Sequence, residues 1–199
     1  MRIVIRENLI DIVKSLRLGK VIIYPTETTY GIGCDAYNQK AVDAIYNIKN
    51  RPKDKPVLAL VGTVAEAKKY LVWNSMLEDI ANKYWPGPLT VRAHSTDEGK
   101  KMAKGVIMPN GVIAIRVTTN KAASFLATLL GRPLVSTSAN IYGDKEIYDS
   151  KILIDLFAER EHQPDILLDY GVLPFHPPST IVDVTGDSLK IIRQGEVKM

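Results

Sequence analysis

The chain has little cysteine, little histidine and no long apolar segment, and each scarcity excludes a class of protein. Its one cysteine, Cys34, cannot form an intramolecular disulfide. No apolar run approaches the roughly 18 residues of a membrane-spanning helix, so we expect no membrane association. The three histidines match no zinc-binding spacing, which argues against a zinc site; they are His94, His162 and His176.

Familiar nucleotide-binding and targeting sequences are also missing. The chain contains neither a Walker loop (GxxxxGK[ST]) nor a GxGxxG sequence, so any nucleotide must be held in another way. The first residues, MRIVIRENLIDIVKSL, lack a signal-peptide cleavage pattern, and with the lone cysteine this predicts a cytoplasmic protein. No histidine lies near Cys34 in sequence, so we expect that cysteine to be a small buried residue and not a nucleophile.

The composition is that of a moderately basic globular protein. The 199 residues are 46% hydrophobic, which predicts one domain, residues 1–199, with a sizeable core. The net charge of +4 and the pI near 9.0 permit an anionic ligand or RNA without identifying either. A cluster of three lysines, at positions 100, 101 and 104, lies in a polar stretch that predicts a mobile loop.

Two neighbouring segments together predict a ligand site. Residues 24–35 (YPTETTYGIGCD) follow an apolar run and are rich in hydroxyl residues and glycines. They lie at the carboxyl end of a predicted strand, where open α/β sheets bind ligands. Residues 49–55 (KNRPKDK) place four cations at a helix end. Hydroxyls beside cations predict a phosphorylated or carboxylated small molecule. Taken singly, the first segment has a plain alternative as a strand-to-helix loop, and the second as a solvated helix end.

Apolar periodicity predicts alternating strands and helices early in the chain and mostly strands late. The predicted strands are 2–5, 21–24, 57–61, 89–93, 112–117, 133–136, 165–168, 180–184 and 189–193. The predicted helices begin at residues 9, 40, 64, 75, 120 and 149, and end near 18, 50, 71, 84, 130 and 159. This order predicts an α/β (α+β) fold, in which a twisted mixed sheet carries flanking helices.

Further polar groups are candidates for the same site. STSAN, residues 136–140, follows a predicted strand and offers hydroxyls and an amide, with a capped turn as the alternative. Arg116 stands in an apolar strand, so its partner is either a substrate carboxylate or a distant acid. Ser179 precedes one late strand and Arg193 ends another. No Ser-His-Asp arrangement or close carboxylate pair is present, which favours binding and charge stabilisation over a protein nucleophile.

Seven motifs occur along the chain in the following order: YPTETTYGIGCDA, IKNRPKDKP, WPGPLT, IAIRV, STSAN followed by Gly143, PSTIVDV and IIRQG. Together they resemble the YrdC family of threonylcarbamoyl-AMP synthases, from about residue 10 to 195. The chain is similar to the short form, without the C-terminal domain of longer relatives. The resemblance implies a YrdC-like fold with a central ligand cleft. A paralogous branch lacks the full signature, and Asn140 with the pair Lys49 and Arg51 argues against placing this chain there.

The resemblance implies a reaction and its site. L-threonine, bicarbonate and ATP would give threonylcarbamoyl-AMP and pyrophosphate, and a partner transferase would modify tRNA next to the anticodon. Lys49 and Arg51 would be catalytic. The residues implied in ATP binding are Lys49, Arg51, Ser138, Asn140 and Arg193. Those implied in threonine binding are Thr26, Arg116, Ser136 and Ser179.

Several further expectations accompany this one. Mg²⁺ should arrive as the ATP complex, held mostly by phosphates and water, with no protein metal ligands. We expect a monomer or weak homodimer, and we expect residues 95–110 to close over the site as a lid, because glycines and lysines fill that polar stretch. The alternative function is a double-stranded RNA or tRNA-binding module without catalysis, which would bind in a salt-dependent way. Longer relatives carry a histidine where this chain has Leu60, so that contact is not assigned here.

Overall fold

A computed structural model gives the fold, and it describes residues 1–4 and 9–199. Within these residues, ten strands form one mixed, twisted sheet with six helices packed on it. The strands are β1 (Arg2–Val4), β2 (Ile22–Pro25), β3 (Tyr30–Gly33), β4 (Leu58–Val61), β5 (Leu89–His94), β6 (Val112–Val117), β7 (Leu134–Ser138), β8 (Ile166–Leu168), β9 (Thr180–Asp183) and β10 (Lys190–Arg193). The helices are α1 (Leu9–Arg17), α2 (Gln39–Lys49), α3 (Val64–Tyr70), α4 (Ser75–Tyr84), α5 (Lys121–Leu130) and α6 (Ser150–Ala158). The predicted fold class is confirmed; the last residue of the first predicted strand, Ile5, lies outside the described residues.

The strand order is β1-β8-β2-β3-β7-β4-β6-β5-β9-β10. Strands β2 and β3 form an antiparallel hairpin, and β7 pairs antiparallel with both β3 and β4. Strand β4 then runs parallel to β6, and β5 runs antiparallel to β6 and parallel to β9. The first segment of the predicted ligand site, residues 24–35, therefore supplies the end of β2 and all of β3 next to β7, whereas residues 49–55 begin at the last residue of helix α2.

The sheet has an apolar cluster on each face. Successive strand residues point to opposite faces, and β4 divides accordingly: Ala59 and Val61 belong to one cluster and Leu60 to the other. The first cluster is large and includes buried residues of α2, α3, α4 and α6. The second is smaller and is formed with α1 and α5. Those two helices cover only part of their face, and the uncovered part holds the site described below.

Two elements differ from the sequence prediction. The sequence does not predict strand β3, because Thr26, Thr28 and Gly31 favour a continuous loop after β2; the chain instead turns at residues 26–29 and returns as a strand. Strand β7 is predicted to end at Ser136, but it continues to Ser138. The hydroxyls of STSAN are therefore partly strand side chains, and not a loop beyond the strand.

Helix α5 is fixed at both ends by the residues that its sequence supplies. The Asn120 side chain accepts hydrogen bonds from the backbone of Ala122 and Ala123, and Gly131 ends the helix at φ 72°. A left-handed residue favours glycine because there is no Cβ to clash. The capped N-terminus also fixes Thr118, whose hydroxyl accepts a hydrogen bond from the Asn120 amide at 3.1 Å. Among the described residues, each helix is too short or too polar to cross a bilayer.

Candidate functional site

A cleft of about 1410 Å³ opens on the face of the sheet that α1 and α5 leave uncovered. Side chains from the middle of β5 and β6 line it, so it lies on the sheet's face and not at the carboxyl edge that the sequence suggested. Seven of the nine predicted site residues line it: Thr26, Arg51, Arg116, Ser136, Ser138, Ser179 and Arg193. The structure thus brings together residues that are up to 167 positions apart in the chain (193 − 26).

The hairpin turn at residues 26–29 forms one wall. Thr26 Oγ1 donates to the Thr29 carbonyl at 2.6 Å and accepts from the amides of Thr28 and Thr29, each at 3.2 Å. Gly31 lies beneath this wall, and a Cβ there would stand 3.2 Å from both Ser136 Oγ and the Thr26 methyl. The hydroxyls and the glycine of the motif therefore serve a tight turn packed against β7.

Arg116 lies at the centre of the cleft, and its partner is an acid that the sequence motifs do not identify. Its Nε lies 3.2 Å from Glu27 Oε1, and the two side chains are only 4% and 11% exposed. The Thr118 hydroxyl donates to the other oxygen, Glu27 Oε2, at 2.5 Å. The alternative of a distant acid is therefore correct, and Arg116 also faces the cleft, as the ligand-binding alternative requires.

Lys49 lies below the cleft and does not line it. Its side chain is 1% exposed, and its Nζ donates to the carbonyls of Ser138 and Asn140, the latter at 2.7 Å, and to Asn140 Oδ1 at 2.9 Å. Three acceptors use all three donors of an ammonium group. Burial lowers the pKa of Lys49 to about 7, and the positive charge of Arg51 contributes to the lowering. Lys49 therefore holds the STSAN segment from beneath.

Asn140 also lies behind the lining, where it links Lys49 to the next loop. Its Oδ1 accepts from Ser138 Oγ at 2.6 Å, and its Nδ2 donates to the Asp144 carbonyl at 2.6 Å. The four predicted residues Lys49, Arg51, Ser138 and Asn140 thus include two that line the cleft and two that support it. The sequence pattern alone cannot distinguish a residue that faces a ligand from a buried support.

Arg51 reaches the cleft from the end of α2. Its Nε donates to the Lys55 carbonyl at 2.7 Å and its Nη2 to the Pro56 carbonyl at 2.9 Å. Its guanidinium carbon lies 5.2 Å from the centroid of the Tyr142 ring. These contacts hold the KNRPKDK turn in one conformation and keep a positive charge at the cleft wall.

The opposite wall consists of Ser179 and Arg193. The Arg193 guanidinium donates to the Ser179 carbonyl at 2.8 Å and to its hydroxyl at 3.2 Å, and that hydroxyl lies 2.9 Å from Thr90 Oγ1. The pairing of β9 with β10 shifts register between Ile191 and Arg193. Such an irregularity re-aims a side chain, and here it directs Arg193 to the cleft.

The segment at 95–110 lies along the cleft mouth and is tied to the rest of the protein. The Ala103 amide donates to the Ala36 carbonyl at 2.9 Å, and the Lys104 amide donates to Gln39 Oε1 at 2.8 Å. The Gly105 carbonyl accepts from Tyr46 Oη at 3.1 Å. Lys100 and Lys104 both line the cleft. The backbone is thus anchored beside α2, and closure of this segment over the site stays a prediction.

Leu60 occupies an apolar position away from the cleft. It is fully buried among the residues packed with α1 and α5. Leu58, two residues earlier on the same face of β4, lines the cleft in its place. No threonine contact is therefore assigned to Leu60.

Acidic groups near the site are few and dispersed. Glu146 and Asp54 line the cleft, and Asp183 lies behind it, 3.5 Å from Arg92 Nε. In residues 1–4 and 9–199, three or more metal-binding side chains do not come together. Cys34 is buried, as predicted, and burial raises the pKa of its thiol well above the usual value.

The arrangement suits two anionic groups bound side by side. Arg51 lies at one wall, Arg116 in the middle and Arg193 at the other wall, with serine and threonine hydroxyls between them. Arginines bind carboxylates and phosphates through paired N–H groups, and hydroxyls add neutral donors and acceptors. The cleft therefore presents cations and neutral donors that suit carboxylate and phosphate groups.

Known proteins resemble this chain over nearly its whole length. The family model Sua5_yciO_yrdC, described as "Telomere recombination", matches residues 14–195. A threonylcarbamoyl-AMP synthase of Coxiella burnetii is 35% identical over 193 residues, which cover 93% of this chain and 97% of that protein.

Solved structures share the fold. P. abyssi Sua5 complexed with L-threonine superposes with a TM-score of 0.86 at 25% identity over 98% of this chain, which spans 57% of that longer chain. E. coli YciO superposes with a TM-score of 0.83 at 24% identity, covering 98% of this chain and 94% of its own. The second likeness concerns the fold alone.

Proposed function

The chain belongs to the Sua5/YciO/YrdC family, and on that premise we propose that it is an L-threonylcarbamoyladenylate synthase. The observation that carries the proposal is the single cleft that presents Arg51, Arg116 and Arg193 among hydroxyls. The threonine carbamate and ATP are both anionic and repel each other, so their reaction needs such a site.

The reaction joins three substrates. The amine nitrogen of L-threonine bonds to the carbon of bicarbonate with loss of water, which gives a carbamate. A carbamate oxygen then attacks the α-phosphorus of ATP, and the bond to the pyrophosphate oxygen breaks. The products are threonylcarbamoyl-AMP and pyrophosphate. Negative charge accumulates on the departing pyrophosphate, so cations fixed beforehand lower the barrier.

Each wall of the cleft has a role in this scheme. Arg116 binds the threonine carboxylate, Ser136 and Ser179 provide hydroxyls around the amino acid, and Thr26 shapes the wall beside it, because its own hydroxyl is used by the turn. Orientation of the two reactants in this way lowers the entropic part of the barrier.

The nucleotide is bound by the other walls. Arg51, Ser138 and Arg193 contact ATP, and Arg51 stabilises the charge on the leaving group. Lys49 and Asn140 contribute from beneath, because they fix the segment that carries Ser138 and because the Lys49 charge adds to the positive field. Mg²⁺ enters with ATP as part of the substrate.

The biological setting follows from the family and is part of the proposal. The product would pass to a threonylcarbamoyl transferase that modifies tRNA next to the anticodon, in the cytoplasm. Direct tRNA contact and a monomeric or weakly dimeric state are expectations of the same kind. The alternative of an RNA-binding module without catalysis is not favoured, because the arginines lie in a concave, hydroxyl-lined cleft and a duplex needs a broad basic face.

A pyrophosphate-release assay tests the proposal. The purified protein with ATP, L-threonine, bicarbonate and Mg²⁺ should release pyrophosphate and form an acyl-adenylate. Omission of threonine, or thorough removal of bicarbonate and dissolved carbon dioxide, should abolish release, because the nucleophile is made from both. Arg51→Ala should lower the rate about a hundred- to thousandfold, the usual effect of losing one preorganised charge contact.

A control substitution keeps the assay specific. Lys14 has an exposed side chain, pairs with Asp11 at 2.7 Å and does not line the cleft, so Lys14→Ala should change the rate far less than Arg51→Ala. Pyrophosphate release that continues unchanged without threonine would refute the synthase. RNA binding by the same preparation, weakening steeply with salt, would then favour the module without catalysis.

A further inference from the structure

Glu27 lies directly behind Arg116, the cation that faces the cleft. It does not line the cleft, whereas Arg116 does. Its Oε1 lies 3.2 Å from Arg116 Nε, and both of these atoms are buried without hydrogen-bond geometry to any described residue. The ion pair therefore places the carboxylate at the Nε of the guanidinium, while Arg116 still lines the cleft.

Glu27 is itself held from two directions. Its backbone belongs to the turn that the Thr26 hydroxyl closes. Its Oε2 accepts the 2.5 Å hydrogen bond from Thr118, which the capped N-terminus of α5 fixes in turn. A carboxylate fixed in this manner determines where the positive charge of Arg116 can lie.

We infer that Glu27 is a positioning residue for threonine recognition: it aligns Arg116 so that the outer guanidinium edge meets the threonine carboxylate. This rests on the proposed function. The chemistry behind it is that an arginine binds a carboxylate best through two parallel N–H groups, which requires the plane of the guanidinium to be fixed in advance. The Glu27 carboxylate restrains the Nε end of the guanidinium and also neutralises the cation while the cleft is empty.

A purely structural role predicts something else. A buried arginine without a counter-charge is costly in any protein. If charge neutralisation were all that Glu27 provides, its loss would reduce folding stability and would affect both substrates only through the folded fraction. Positioning predicts a selective loss of threonine affinity in the folded protein.

The test measures threonine binding by calorimetry without ATP, and the KM for each substrate, in Glu27→Gln. This variant keeps the shape of the side chain and removes its charge. We expect threonine to bind about tenfold to a hundredfold more weakly, the usual range for losing a contact to a charged group. The KM for ATP and the kcat at saturating threonine should stay within about twofold. The reason is that the lost contact stabilises threonine equally in the ground state and in the transition state.

Two further variants separate positioning from stability. Thr118→Val removes the hydrogen bond that holds Glu27 without changing Arg116, so it should weaken threonine binding in the same selective way and to a smaller degree. Asp35→Asn is the matched control: Asp35 is a buried carboxylate 3.0 Å from Arg132, away from the cleft lining. It should lower the melting temperature and leave the threonine dissociation constant unchanged.

A double-mutant cycle then asks whether Glu27 acts through Arg116. In an Arg116→Lys background, Glu27→Gln should add little to the loss of threonine affinity, because the aligned group is already gone. Normal threonine binding in Glu27→Gln, or additive losses in the cycle, would overturn the inference. Should Glu27→Gln fail to fold, Thr118→Val is measured in the same way, and normal threonine binding by that variant would equally overturn it.

The outcomes that would refute the proposed function differ from those that would refute the positioning role of Glu27. If the wild-type protein neither binds threonine nor needs it for pyrophosphate release, the synthase is refuted whatever the variants do. If the wild type binds threonine and Glu27→Gln binds it equally well, only the positioning role is refuted.

Discussion

At the scale of single residues, Lys49 combines a positive charge with nearly complete burial. Its ammonium has three acceptors, two of them on Asn140, and no share of the cleft surface. A neutral amine has only two N–H donors, so deprotonation would release one of these contacts. The state of this one proton therefore controls how firmly the STSAN segment is held.

The affinity for ATP should depend on whether the Lys49 amine is protonated. Since burial sets the pKa of Lys49 at about 7, the KM for ATP should rise as pH increases through this value. In Lys49→Met the inflection near pH 7 should disappear, although the KM for ATP should be higher at every pH. A pH profile of the ATP KM that has the same inflection in both proteins would contradict this assignment.

Stability should change in the opposite direction. The unfolded chain keeps the lysine proton up to the ordinary lysine pKa of 10.5, whereas the folded protein loses it near 7. Between these values the unfolded state binds more protons, so the contribution of Lys49 to the free energy of unfolding increases with pH. Urea denaturation across this window supplies the matching measurement, and opposite trends in stability and ATP affinity distinguish Lys49 from a general pH effect.

At the scale of elements, the sequence predicts what local periodicity encodes. The predictions of helix α2, in which Val42, Ile45 and Ile48 are buried, and of strand β6 are correct. Strand β3 is missed because its four residues, YGIG, carry two glycines and follow a polar turn, which locally favours a loop. What makes it a strand is pairing with β2 and β7, which lie before and far after it in the chain.

The sequence likewise predicts part of the site but not all of it. Residue types and motif resemblance locate seven residues that line the cleft. They cannot reveal Glu27 as the partner of Arg116, because 89 positions separate the two (116 − 27). They also cannot tell that Lys49 faces inward, since that depends on where the end of β7 lies relative to the end of α2.

Gly33 tests the role of the unpredicted strand. A Cβ at this position would stand 1.8 Å from the Val135 carbonyl oxygen, so Gly33→Ala must push β3 away from β7. We expect the free energy of unfolding to fall by about 1–3 kcal/mol or more in urea denaturation. The KM for ATP should rise as well, because β7 carries Ser138.

Gly186 provides the matched control for that substitution. A Cβ there would meet no atom within 4 Å, so Gly186→Ala should change stability by less than about 0.5 kcal/mol. An equal loss in both variants would show that the close approach at Gly33 is not what limits the sheet.

At the scale of the whole molecule, the cleft is open and its mouth is bordered by the segment at 95–110. If this segment closes on the substrates, ATP with threonine should slow trypsin cleavage after Lys100, Lys101 and Lys104. Cleavage after Arg17, which does not line the cleft, serves as the internal reference. Equal cleavage of the segment with and without both substrates would count against a lid.

The irregular outer strand has a consequence for aggregation. Strand β10 lies at the edge of the sheet with every residue exposed, and a regular apolar edge invites pairing with other chains. The register shift between Ile191 and Arg193, together with the charge of Lys190, makes this edge a poor template. The same shift aims Arg193 at Ser179. A change that made β10 regular would therefore move Arg193 away from the cleft and would also create an aggregation-prone edge strand. Solubility and catalysis thus depend on the same irregularity.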